Sequence, residues 1–302
     1  MSKRYKILIT GSSGMLGIDL CQELHASYQV LGFDLVKNSK SIVSRFFKGD
    51  ITDSRSVQGV IGKIRPDIVI HTAAWADVDG CELGSKKAYK INSTGTRNVA
   101  LACKKTGATL IYISTDFVFN GKKKLPYKES DRVSALSVYG NSKLKGENAV
   151  AKSLRNYFVL RTSWLYGKSG KNFVDTIIAK SKTERSLKVV RDQVGSPTYT
   201  KYLAKAIHAL IENIEDSAKD LSERFGVYHV SNSGGVSWYD YARTILLLTG
   251  TNTKVVPITS GELARPANRP AMSILDNSKF YKFTGYKMPG WKVALKEYLS
   301  KK

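Results

Sequence analysis

The stretch Lys6-Ile-Leu-Ile-Thr10-Gly11-Ser-Ser-Gly14-Met-Leu-Gly17 decides how the rest of the chain is read. Its first half is short, continuously apolar and rich in isoleucine, the pattern of a strand covered on both faces. Gly11 ends that run, and Leu16, Leu20 and Leu24 then recur every fourth residue, giving a helix one apolar face. A strand that turns through three glycines into a helix makes a phosphate cradle. One glycine forms the tight turn, one lets backbone approach a pyrophosphate, and one lets helix and strand pack closely. The helix N-terminus adds free N–H groups and the positive end of its dipole. In a chain with 24 glycines, the spacing Gly-x-x-Gly-x-x-Gly gains its weight from lying between the first strand and the first helix. Gly11, Gly14 and Gly17 are therefore expected to hold a dinucleotide.

Asp34 lies twenty residues beyond Gly14, at the end of the next apolar run, Val30-Leu-Gly-Phe33. A carboxylate there accepts from both hydroxyls of an adenosine ribose. It also repels a 2′-phosphate, which favours NADH, whereas Lys37 and Lys40 nearby offset part of that repulsion; both NADH and NADPH stay compatible with the sequence. Further strands are read at Ile68-Val-Ile-His71, Thr109-Leu-Ile-Tyr-Ile-Ser114 and Tyr157–Thr162, with a helical stretch from Ser85 to Thr106. This alternation predicts right-handed crossovers and an α/β, doubly wound parallel sheet of the Rossmann kind. After Thr162 the pattern loosens. Tyr202–Ile214 reads as a helix and Gly226–Val230 as a strand returning to the sheet. The expected division is a dinucleotide-binding domain of residues 1–166 plus about 196–230, and a smaller discontinuous C-terminal substrate lobe of about 167–195 and 231–302. Val255–Pro270 holds three of the chain's seven prolines and is expected to cross a surface in extended form.

Composition narrows the function classes. With 302 residues, 42% hydrophobic and 24% charged, the chain is an ordinary globular protein, not a disordered or fibrous one. No run approaches the roughly 18 apolar residues a membrane span needs, and the run after Met1–Tyr5 is too short for a signal peptide, so a cytoplasmic location is expected. Cys21, Cys81 and Cys103 never fall as Cys-x-x-Cys, and His25, His71, His208 and His229 lie far apart. Neither a disulfide framework nor a histidine metal site is expected. The net charge of +23 attracts polyanions. Its basic residues are nevertheless spread along the whole chain, with Lys122-Lys123-Lys124 the densest run and no nucleic-acid-binding signature, so no nucleic-acid partner is expected. Such a field suits a small phosphorylated ligand.

Tyr139-Gly-Asn-Ser-Lys143 places a phenol and an ammonium one helical turn apart. At about 5 Å and an effective dielectric near 20, the ammonium favours the tyrosinate by roughly 3 kcal/mol, or about two pKa units. That tunes the pair for proton exchange with a carbonyl or alcohol. Tyr298 also has a lysine four places on, Lys302, but at the chain's end, so position and not spacing gives Tyr139 its meaning. Tyr139 follows the strand end Ser114-Thr115-Asp116 by one loop, and Thr115 is expected to bring a hydroxyl to the same carbonyl oxygen. Arg265 and Arg269 are interleaved with Pro266 and Pro270, which fix the backbone so that two guanidiniums can grip a diphosphate.

Taken together, Gly11–Gly17, Asp34, Asp50-Ile51, His71-Thr-Ala-Ala74, Ser114-Thr-Asp-Phe-Val-Phe119 and Tyr139–Lys143 resemble the extended short-chain dehydrogenases/reductases. Narrower matches are Val78-Asp-Gly-Cys-Glu82, Val138–Glu147, Arg161-Thr-Ser-Trp-Leu-Tyr-Gly167, Asp192-Gln-Val-Gly-Ser-Pro-Thr198 and Arg265-Pro-Ala-Asn-Arg-Pro270. These resemble the dTDP-4-dehydrorhamnose reductase family almost end to end. The resemblance implies NAD(P)H-dependent reduction of the 4-keto group of dTDP-4-dehydro-6-deoxy-L-mannose to dTDP-L-rhamnose. It implies Gly14, Met15 and Leu16 at the pyrophosphate, Asp34 at the ribose, Asp50 and Ile51 at the adenine, and Ala73 and Ala74 along the cofactor. Tyr139 and Lys143 are implied at the nicotinamide ribose, Val78, Thr115 and Asp116 at the sugar, and Trp164 against it. Some members bind Mg²⁺ at a homodimer contact, but no carboxylate cluster in this sequence places an ion.

Two positions depart from the family's usual pattern, Phe117 for Tyr and Asn120 for Asp. Related dehydratases have a glutamate at the Phe117 position to remove a proton; a phenyl ring cannot, which disfavours dehydration. Two alternatives stay open. One is another nucleotide-sugar ketoreductase or epimerase of the same superfamily. The other is a non-catalytic dinucleotide binder resembling the regulatory subunit of methionine adenosyltransferase.

Overall fold

Lys6–Thr10 becomes the central strand because its side chains alternate between two apolar clusters. In the computed structural model, which describes residues 5–216, 221 and 223–301, this strand (β1) sends Ile7 and Ile9 to one face and Leu8 to the other. The residues Met1–Arg4, read above for a leader, lie outside the described part. Burial on both faces is what a strand between two helical layers requires. Beside β1 lie β2 (Gln29–Asp34), β3 (Arg45–Lys48), β4 (Ile68–His71), β5 (Thr109–Thr115), β6 (Tyr157–Thr162) and the strand Gly226–His229. They form one seven-stranded sheet, ordered Gly226–His229, β6, β5, β4, β1, β2, β3, with every neighbouring pair parallel. The doubly wound sheet read from the sequence is thus present. Strand β3 was missed: four residues with Phe46 and Phe47 only half-buried give no apolar run to read.

Helix α1 (Met15–Leu24) buries Leu16, Leu20 and Leu24, the stripe seen in the sequence, and packs on the helix Thr200–Glu215. The opposite face carries α2 (Ser54–Ile64) and the helices Thr96–Thr106 and Val138–Ser153, through Val57, Ile61, Val99 and Val150. The stretch Ser85–Thr106 is helical throughout but widens to a π turn over Lys90–Gly95. From that turn the buried Asn92 carboxamide accepts from the Trp75 amide at 2.8 Å and donates to the Trp75 carbonyl and the Ser142 hydroxyl, each at 3.0 Å. The segment after β4 is thereby tied to the helix Val138–Ser153.

A third apolar cluster, with Tyr166, Val174, Ile177, Tyr241, Ile245, Leu295 and Tyr298, lies away from the large sheet. Around it Ser186–Val190 pairs in parallel with Lys254–Ile258, and Val194–Gly195 pairs with Val236–Ser237 in antiparallel fashion. The extended crossing expected over Val255–Pro270 is therefore only partly found. Pro257 sits within a strand of a two-stranded sheet, where a missing N–H is tolerated. Ser260–Leu263 then turns helical behind a capping box, Thr259 Oγ1 accepting from the Glu262 amide while the Glu262 carboxylate accepts from the Thr259 amide. Among the described residues no helix is long and apolar enough to cross a membrane.

Candidate functional site

The strand order reverses between β1 and β4, and such a switch point opens a crevice at the C-terminal strand ends. A cleft of about 1260 Å³ lies there. Its floor is the glycine turn. Gly11 has φ +75° and donates to the Phe33 carbonyl, and a Cβ on it would come within 2.6 Å of the Ala73 nitrogen. A Cβ on Gly17 would sit 2.0 Å from the Gly11 carbonyl oxygen, so only glycine allows α1 to start this close to β1. Gly14 caps α1 with no side chain to accept from the first turn, so those N–H groups are available to an anion. This cradle fits a dinucleotide pyrophosphate. Gly17→Ala is expected to destabilise the protein by about 1–3 kcal/mol and to weaken dinucleotide binding, read by denaturant unfolding and by cofactor titration.

Every residue read as cofactor-binding lines this cleft: Gly11, Gly14, Met15, Leu16, Gly17, Asp34, Asp50, Ile51, Ala73, Ala74, Tyr139 and Lys143. Asp34 also braces the turn, accepting from the Ser13 amide at 2.9 Å and from the Leu35 amide at 2.7 Å. Lys37 and Lys40 are exposed.

Tyr139 and Lys143 stand in the first turns of the helix Val138–Ser153. That helix is capped by Ser137, whose hydroxyl accepts from the Gly140 amide, and by Glu82, whose carboxylate accepts from the Val138 amide at 2.9 Å. Thr115 ends β5 on the same rim; its hydroxyl donates to the Asp116 carboxylate at 3.1 Å and accepts from the Phe117 amide at 3.2 Å. The phenyl ring of Phe117 meets Tyr139 edge-on, with centroids 5.6 Å apart. The electrostatic balance differs from the sequence expectation. Burial pushes the Tyr139 phenol above its ordinary value, hydrogen bonding with Thr115 opposes that, and the Asp116 carboxylate adds to it. Lys143 directs its ammonium to the Ile113 carbonyl at 2.7 Å and over the Tyr112 ring at 4.2 Å, and burial lowers it to about 7. Desolvation is the largest effect at both groups, and a phenol that keeps its proton is ready to donate it.

Asp116 is fully buried and raised to about 7, chiefly by desolvation. Val78 and Trp164 line the cleft as well. Trp164 has φ +47° and stacks on Trp238 at 3.5 Å with planes 4° apart, so one indole face is already covered. Strain at a bulky residue is tolerated where surrounding structure over-determines it, as it often is at binding sites. Arg265 and Arg269 both reach the cleft, held by one carboxylate that the sequence reading missed: Asp79 accepts from Arg265 at 3.1 Å and from Arg269 at 2.9 Å. Also missed are Trp238, Phe173, Lys180 and Lys188 on the cleft wall, which belong to no motif and join the site only through tertiary packing. Among the described residues no three His, Cys, Asp or Glu side chains gather as a metal site.

Comparison with known proteins gives the family. The family model described as "RmlD substrate binding domain" matches residues 5–302. The chain is 39% identical to the spore coat polysaccharide biosynthesis protein SpsK of Bacillus subtilis, covering 98% of both chains. It is 38% identical to a dTDP-4-dehydrorhamnose reductase of Streptomyces griseus, over 97% of this chain and 93% of that one. The crystal structure of a dTDP-4-dehydrorhamnose reductase from Bacillus anthracis in complex with NADP superposes with a TM-score of 0.89 at 37% identity, over 99% of this chain and 100% of that one. The chain belongs to the RmlD substrate-binding-domain family, that of the dTDP-4-dehydrorhamnose reductases.

Proposed function

We propose that the protein reduces the 4-keto group of dTDP-4-dehydro-6-deoxy-L-mannose to give dTDP-L-rhamnose, with NADPH or NADH as reductant, in the cytoplasm. The observation that carries this reading is the meeting of Tyr139, Lys143 and Thr115 on one rim of the cleft whose floor is the glycine turn. Gly11, Gly14 and Gly17 would hold the pyrophosphate, Asp34 the adenosine ribose, Asp50 and Ile51 the adenine, and Ala73 and Ala74 the length of the cofactor. Bound there, a reduced nicotinamide supplies hydride. Tyr139 gives its proton to the sugar's carbonyl oxygen as negative charge develops on it, and Thr115 donates a hydrogen bond to the same atom. Lys143 then stabilises the resulting phenolate through its charge. Arg265 and Arg269, aligned by Asp79, take the diphosphate, while Val78, Asp116 and Trp164 contact the sugar. Residues 1–166 plus about 196–230 form the dinucleotide domain in this reading, and about 167–195 and 231–302 the sugar-nucleotide lobe. It is supported by the large sheet falling in the first set and by the pairing of Ser186–Val190 with Lys254–Ile258 in the second.

The test is a coupled assay that offers the 3,5-epimerised dTDP-4-keto-6-deoxyhexose with each reduced cofactor and identifies the product by NMR. Net oxidation of the cofactor with formation of the 4-hydroxy sugar supports the reading. An isomerised sugar without net oxidation points to an epimerase, and binding without turnover to a regulatory subunit. Asp34→Ala is expected to raise the ratio of kcat/KM for NADPH over NADH by about ten-fold, because it removes a charge that repels the 2′-phosphate. Steady-state kinetics with both cofactors checks it.

A further inference from the structure

We infer that Glu147 is a positioning residue for the proposed reduction: clamped by Arg161 and Ser114, it fixes the helix that carries Tyr139 and Lys143 and places a carboxylate one helical turn from Lys143. The inference rests on the roles given above to Tyr139 and Lys143.

Tyr139, Lys143 and Glu147 recur at four-residue intervals on the helix Val138–Ser153 and so share one face. Glu147 and Arg161 are both buried, at 5% and 4% exposure. Arg161 grips the carboxylate as a fork, Nε donating to Oε1 at 2.9 Å and Nη2 to Oε2 at 2.7 Å, and the Ser114 hydroxyl donates to Oε1 at 2.5 Å. Ser114 and Arg161 are register partners on adjacent strands, immediately before Thr115 and Thr162. One carboxylate thereby joins the helix to the two strands directly beneath the reacting groups. Two parallel hydrogen bonds also fix orientation, which a single contact would not. A buried ion pair adds little net stability over an apolar pair of the same shape, so stability alone does not account for charges here.

The surroundings of Lys143 show what the charge does. Tyr139 lies on its own helix, β5 presents the Tyr112 ring and the Ile113 carbonyl, and Arg161 on β6 is paired with Glu147. From β4 comes His71, which burial and the Lys143 charge keep neutral, lowered to about 3. Asp116, at the end of β5, is itself raised to about 7. Against desolvation, which lowers Lys143, the Glu147 charge raises it. Reduction needs Lys143 charged and Tyr139 protonated, so activity falls as pH rises through the Lys143 titration. Removing the Glu147 charge lowers that titration, and the alkaline limb moves to lower pH.

The experiment compares pH profiles of kcat/KM for the full chain and for Glu147→Gln, Glu147→Asp and the double variant Glu147→Gln/Arg161→Met. It also follows the Lys143 titration without cofactor by NMR of isotope-labelled lysine, assigned with Lys143→Arg. The double variant is included because Glu147→Gln alone strands the Arg161 charge and can prevent folding. We expect the alkaline limb and the lysine titration to move down by about one unit in Glu147→Gln and in the double variant. Glu147→Asp is expected to keep both near their wild-type positions with a lower kcat. A folded variant lacking the Glu147 charge that loses rate equally at every pH, with the lysine titration unmoved, overturns the inference. A wild-type chain that does not reduce the ketosugar overturns the earlier reading instead, and the lysine titration still decides the electrostatic part.

Discussion

Replacing Tyr139 by Phe is expected to lower kcat by about 10²–10⁴-fold while leaving cofactor affinity largely intact. The phenolic oxygen carries its proton at neutral pH and hydrogen-bonds with Thr115 on the cleft rim. Its removal keeps the ring, and with it the edge-on contact with Phe117, so the variant is expected to fold. Steady-state reduction of the ketosugar together with a cofactor titration separates the two quantities. Near-normal turnover would take Tyr139 out of the reaction.

The second large effect concerns stability. Arg161→Met leaves the Glu147 carboxylate buried with Ser114 as its remaining named partner and is expected to cost about 3–5 kcal/mol. Exposed pairs such as Lys180–Glu184 contribute far less, about 0.3–0.5 kcal/mol, because solvent screens them. Denaturant unfolding of the two single variants and of the double Glu147→Gln/Arg161→Met measures the coupling. The double variant is expected to recover most of the loss, since no buried charge is then left alone. If Arg161→Met unfolds at wild-type denaturant concentration, the pair is not the buried clamp described.

What could be read from the sequence shares a property: it lies within one local segment or one strand-to-helix turn. Lys6–Gly17 encodes β1, the turn and the start of α1 in twelve consecutive residues, and Asp34 follows at the end of the very next strand. Tyr139 and Lys143 needed only a helix to be neighbours. The comparison with Tyr298 shows why position mattered: its phenol is buried away from the cleft, donating to Asp175 at 2.7 Å. What could not be read depends on pairs brought together by the fold. Asp79 meets Arg269 across 190 positions, and Asn92 meets Ser142 across 50. Trp238 lies in no motif, yet it covers a face of Trp164. The phenol's rise was also hidden, because the sequence shows the lysine one turn away but not the burial that dominates at both groups. Short half-buried strands such as β3 carry too few apolar residues to announce themselves.

In the proposed reaction this rim of side chains protonates a sugar ketone while hydride is added to the carbonyl carbon. It is tested most directly by supplying reduced nicotinamide cofactor deuterated at the transferring carbon, together with the 4-keto-6-deoxy sugar nucleotide, and locating the label by NMR. One deuterium is expected at C4 of the sugar for each cofactor oxidised, with the rate of labelling falling in step with turnover when Tyr139 is Phe. Label that stays on the cofactor, or a sugar isomerised with no deuterium at C4, contradicts it.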